Sequence, residues 1–146
     1  MKKIIILLII FLLISCKEDS PTENKTQNFN EPFELKIGES VSMGGGKLIF
    51  TFDSVSVDTR CPEGSNCIDS GDAVVVIKYS KNYYSFHTNL WPRSMTIGIY
   101  HIELLSLSPY PRISQPIQMS SYIAKFVVHE VILGLREKVI NGFDKS

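Results

Sequence analysis

The chain has 146 residues, 44% of them apolar, with 15 basic and 15 acidic side chains. By count, 12 of the 64 apolar residues fall in the first 15 positions; beyond them 52 of 131 remain, about 40%, with 13 basic groups against 15 acidic ones. A net charge of −2 over that remainder excludes a strongly basic nucleic-acid binder. A hundred or so ordered residues suit one domain with one core, not a multi-domain enzyme.

Lys2 and Lys3 are followed by the unbroken apolar run Ile4 to Ile14. Its 11 residues reach about 16 Å as a helix against a hydrocarbon core of roughly 30 Å, too short to span. A basic start, a short apolar middle and a small residue before a cut site describe a secretory signal peptide over residues 1–15. Leu13-Ile14-Ser15-Cys16 resembles the bacterial lipobox, in which a thiol is acylated and the chain is cut before it. The resemblance implies that Cys16 becomes a lipidated N-terminus, and several acyl chains on one residue anchor a protein stably. Lys17-Glu18-Asp19 is similar to the acidic export signal that sends lipoproteins of Bacteroidota-type bacteria to the outer face of the outer membrane. The implied location is the cell surface, with the lipid as the membrane contact. From Lys17 to Pro32 the one large apolar residue is Phe29, so residues 16–32 are expected to be a lipidated cysteine and disordered tether.

After Cys16 the chain holds 10 Val and 12 Ile but 2 Ala and 8 Leu, a balance that favours pleated surfaces over helices. Phe33, Leu35 and Ile37 alternate with Glu34 and Lys36 up to Gly38. Gly44-Gly45-Gly46 marks a turn, after which Leu48, Phe50 and Phe52 alternate; the phase then shifts to Val55 and Val57, which predicts a bulge at Asp53-Ser54. Ala73 to Tyr79 is apolar on both parities except Lys78, as in a central strand. Tyr83 to Leu90 and Thr96 to Leu107 read as the next strands, connected by Trp91-Pro92-Arg93-Ser94. Ser108-Pro109-Tyr110-Pro111 interrupts regular structure, and Tyr122 to His129 is a further strand. Val131 to Val139 is open between strand and helix. Some seven short strands predict an all-β fold, a single antiparallel sandwich over 33–130 with residues 131–146 as a C-terminal extension. Tyr122-Ile123-Ala124 resembles the tyrosine-corner position of immunoglobulin-like domains, where the hydroxyl ties the strand to upstream backbone.

Once Cys16 is lipidated, Cys61 and Cys67 remain, and in an exported protein their default is a disulfide closing a short loop. Zinc is the rival reading, but no second cysteine or histidine pair completes a four-ligand set, so no metal or cofactor is expected. Arg60 and Asp58 flank the loop, where a guanidinium can bridge a carboxylate and loop carbonyls. Asp58, Glu63, Asp69 and Asp72 also offer oxygen donors for calcium, in no EF-hand spacing. The run Asp58-Thr59-Arg60-Cys61-Pro62, then Gly64, Cys67 and Gly71-Asp72-Ala73, resembles a family of small uncharacterised bacterial secreted proteins and lipoproteins. Members usually follow the second cysteine with a tryptophan, a small residue and Gly; before Ser70-Gly71 of this chain Asp69 stands in the tryptophan's place. Tyr100-His101-Ile102-Glu103-Leu104 and Leu107-Ser108-Pro109-Tyr110-Pro111 resemble the same family, which implies no known activity.

Catalytic constellations are not visible: His87, His101 and His129 are scattered over three predicted strands and accompany no Gly-x-Ser-x-Gly turn. Gly44-Gly45-Gly46 lacks the Lys-Ser/Thr and helix of a phosphate loop. The densest aromatic stretch, Tyr83, Tyr84, Phe86, His87 and Trp91, leads into a proline-containing loop, with Tyr84, Trp91 and Arg93 as candidate ligand contacts and core packing as the alternative. The expectation is a surface lipoprotein that acts by binding a glycan or protein without catalysis. A structural envelope lipoprotein is the alternative, and a small hydrolase or protease inhibitor a third.

Overall fold

The computed structural model describes residues 24–131. Cys16, expected to be lipidated, the expected leader and residues 132–146 lie outside them. Among the described residues nine strands form: β1 (Asn24–Gln27), β2 (Phe33–Lys36), β3 (Ser40–Met43), β4 (Leu48–Asp58), β5 (Ala73–Tyr79), β6 (Asn82–His87), β7 (Ser94–Ile97), β8 (Tyr100–Ser108) and β9 (Ile123–Glu130). A turn of 3-10 helix, Met119–Ser121, precedes β9. The strands build two sheets, one in the order β1-β3-β4-β5-β6 and one in the order β2-β9-β8-β7. Among the described residues, no helix is long and apolar enough to cross a membrane.

Alternation explains which side chains face inward. Phe33 and Leu35 of β2, Leu48, Phe50 and Phe52 of β4, Ala73, Val75 and Ile77 of β5, and Ile102 and Leu104 of β8 are all buried in one cluster fed by both sheets. Phe126 of β9 sits at its centre, with ring centroids 5.7 Å from Phe50, 6.4 Å from Phe52 and 6.2 Å from both Phe33 and Phe86. One ring therefore touches β2 in its own sheet and β4 and β6 in the other. The buried hydroxyl of Ser40 is satisfied by Thr51 at 2.7 Å, so this core position costs no orphaned polar group.

The expected bulge is present: Phe52 pairs with Ile77 and Ser54 with Val76, leaving Asp53 extra. A second irregularity between Val55 and Val57 was not expected. It turns Val57 outward, 49% exposed, while Val55 stays in the core.

Three further expectations are corrected. The tether does not extend to Pro32, because β1 pairs with β3 and Phe29 stacks on Tyr100 with centroids 5.7 Å apart. β1 buries almost nothing through its own side chains; it is held by ladder hydrogen bonds, which leave no trace in hydrophobic pattern. That pairing is parallel, so the sheets are antiparallel apart from one edge. The stretch Thr96 to Leu107 is not one strand either: Gly98, at φ 64°, turns β7 back onto β8.

Candidate functional site

Strand direction decides which connections meet. β4 ends at Asp58, β6 at His87 and β8 at Ser108, while β5 begins at Ala73 and β9 at Ile123. The loops 59–72, 88–93 and 109–122 are joined to one another by hydrogen bonds. Glu63 donates its backbone N–H to the Pro111 carbonyl at 2.9 Å, and its carboxylate accepts from Arg112 at 3.1 Å. Asn89 reaches the Gly71 carbonyl at 2.6 Å. Cys61 and Cys67 are joined as a disulfide, and the Cys61 N–H donates to Ser70 at 2.9 Å.

Under these loops lie two charged clusters. In the first, Arg60 is 4% exposed. Its Nε donates to Asp58 Oδ1 at 2.9 Å and its Nη2 to Asp58 Oδ2 at 2.7 Å, a two-pronged pair. Nη1 donates to the Leu107 carbonyl at 2.7 Å and Nη2 to that of Pro109 at 2.9 Å. The guanidinium also lies 4.9 Å from the Tyr110 ring centroid. Asp58 and Arg60 thus meet as expected, but the carbonyls they secure belong to the end of β8, not to the cysteine loop. The Tyr122 hydroxyl donates to Asp58 Oδ2 at 2.9 Å. This corrects the tyrosine-corner expectation, because its partner is a carboxylate and not upstream backbone. Burial opposes ionisation of Asp58, but hydrogen bonds from Arg60 and Tyr122, with the Arg60 charge, hold its carboxyl below the usual range. Burial and the facing Asp58 push the Tyr122 hydroxyl up to about 12.

Asp72, 8% exposed, centres the second cluster. Its Oδ1 accepts from the Thr88 hydroxyl at 3.1 Å and from the Asn89 backbone N–H at 2.9 Å, and its Oδ2 pairs with His87 Nδ1. Burial raises its pKa, yet these donors and His87 outweigh that and lower it to about 2. Gly71 is required beside it: at φ 65° any Cβ would overlap the Thr59 carbonyl oxygen. The four acidic residues weighed for calcium are engaged by separate partners. Asp58 faces Arg60, Glu63 faces Arg112, Asp72 faces His87, and Asp69 accepts from the Gly71 N–H at 3.3 Å.

The clamped 88–93 loop carries Trp91, 83% exposed, next to an exposed Leu90. Exposed Arg93 lines a cleft of about 220 Å³ with Arg60, Thr88, Asn89, Leu107 and Tyr110. Across Tyr110 lies a second cleft of about 370 Å³, bordered by Glu63, Arg112, Gln115 and Gln118. Trp91 and Arg93 therefore share the loop end. Tyr84 does not: it pairs with buried Ile77 in mid-strand and packs half-buried against the core, away from the loop end. The outward aromatic of β6 is Tyr83, with Lys78 Nζ 5.8 Å from its ring centroid. Sequence reasoning missed the roles of Asp72, His87 and Thr88. The available signal was a Gly-Asp pair immediately before a central strand.

Comparison of the chain with protein-family models, with curated proteins and with solved structures returned no match.

Proposed function

We propose that the chain is a lipid-anchored lipoprotein of the bacterial outer surface whose domain, an immunoglobulin-like β-sandwich, binds a protein or glycan ligand without catalysis. The anchoring part rests on the run Ile4 to Ile14, the lipobox-like Leu13-Ile14-Ser15-Cys16 and the acidic Glu18-Asp19 that follow it. The sandwich reading is supported by the two sheets feeding one apolar cluster.

One observation carries the binding reading: Trp91 stands in solvent on a loop whose base is fixed by a buried carboxylate. A large exposed ring on a preorganised loop loses little side-chain freedom on binding and contributes much contact area. Arg93 beside it adds a planar cation for carboxylate or aromatic partners, and Leu90, Tyr110 and Ile113 are further exposed apolar side chains of these loops. The test is a glycan and protein-partner screen of the full chain and of Trp91→Ala. Partners retained by the wild type and lost by the variant support the reading; partners held equally by both refute it. Protease shaving of intact cells checks the location, since an inward-facing domain survives it.

A further inference from the structure

The outer face of the four-stranded sheet carries a row of polar side chains far along β8 and β9 from the loop end. His101 of β8 lies directly opposite His129 of β9, where Cβ atoms are about 4.5–5.5 Å apart. Ile102 and Val128 beside them are buried, so both imidazoles project outward and stay half-buried. Their rings stack with centroids 6.5 Å apart and planes 25° from parallel.

Each ring is held through Nδ1. His101 Nδ1 meets the Thr96 hydroxyl at 3.0 Å, and His129 Nδ1 meets the Asn30 side-chain oxygen at 2.7 Å. Asn30 is itself fixed, since its backbone N–H donates to the Val128 carbonyl at 2.8 Å. An amide oxygen only accepts, so His129 donates from Nδ1 and keeps a lone pair on Nε2; the Thr96 hydroxyl is able to accept from His101 Nδ1 too, and in that tautomer Nε2 is free. An outer partner that occupies one ring nitrogen and frees the other is how metal-ligating histidines are oriented.

We propose that His101 and His129 form a two-histidine site for a divalent transition-metal ion of the imidazole-preferring kind, zinc or copper, with water in the remaining coordination positions. Imidazole suits these ions, and copper(II) stands above zinc in the general affinity order. An ion about 2.0–2.1 Å from each nitrogen sets ring centroids roughly 5–6 Å apart. Reaching that spacing from 6.5 Å requires a rotation of one or both rings. No cluster of three or more His, Cys, Asp or Glu is formed among the described residues, so this is a weak, solvent-open site and not a structural metal centre. It stands independently of the loop-end reading.

The test is calorimetric titration of the full-length chain in detergent with Zn2+ and, separately, with Cu2+. One ion per chain is expected, with His101→Gln and His129→Gln each weakening it by about tenfold or more at unchanged melting temperature, and Asn30→Ala weakening it less. Affinity untouched by either histidine change overturns the proposal. Where a variant loses its fold, histidine-ring NMR of the wild type decides. Cu2+ below one equivalent should broaden the His101 and His129 signals before all others, and uniform or absent broadening overturns the site.

Discussion

Asp58 and Asp72 bracket the same loop, both ionised and both nearly out of solvent, yet they hold different things. Asp58 faces a permanent cation, Arg60, which passes the connection on to the end of β8 and to Tyr110. Asp72 faces His87 and two neutral donors, and fixes the short loop that carries Trp91. One carboxylate ties the two sheets; the other positions the loop proposed as the contact surface. Burial alone does not say whether a charge belongs to the scaffold or to the site, but its partners do.

Removing one side of each cluster separates the two roles. Arg60→Ala leaves Asp58 buried with the Tyr122 hydroxyl and the residue-60 backbone N–H but no cation, and breaking such a pair costs about 3–5 kcal/mol; urea unfolding should show the largest loss there. Asp72→Ala strands two hydrogen-bond donors and one imidazole, at about 2–3 kcal/mol, and should also weaken any partner that needs Trp91. Cys67→Ser removes a short closed loop worth about 2 kcal/mol in chain entropy, lowering the melting temperature. Trp91→Ala should leave stability within about 0.5 kcal/mol, since the ring packs on little, while removing binding.

Acid and alkali sharpen the same contrast. The Asp72 carboxyl, lowered from 3.8 to about 2, binds its proton later in the folded than in the unfolded state. Its contribution is complete above 3.8 and is lost as pH falls through about 2. Tyr122 works in the opposite sense. Raised from 10 to about 12, it stabilises fully below 10, and that stability is lost as pH rises through about 12. Melting curves of the wild type, Asp72→Ala and Tyr122→Phe should show the first variant losing the Asp72 share of the acid effect, with the Asp58 share retained, and the second losing the alkaline effect.

Much of the core was legible because alternation is local. Phe33 and Leu35, then Leu48, Phe50 and Phe52, declare an inward face, and the Asp53 bulge declares itself by a change of phase. The cysteine pair was legible from its spacing and from the expectation of export. What stayed hidden depends on contacts distant in the chain. Tyr122 and Asp58 are 64 positions apart, and Asn30 and His129 are 99 apart. β1 was hidden for another reason: Asn24-Lys25-Thr26-Gln27 is a strand by backbone pairing, with no apolar side to advertise it.

Trp91 is the one tryptophan of the chain, so its fluorescence reports the proposed contact surface without a label. In the free protein, its emission should be that of a solvent-exposed indole and readily quenched by iodide. Addition of a partner found in the screen should shift emission to the blue and shield the ring from quencher. A partner that binds while Trp91 stays as red and as quenchable as before would contradict the assignment of the loop end as the binding surface.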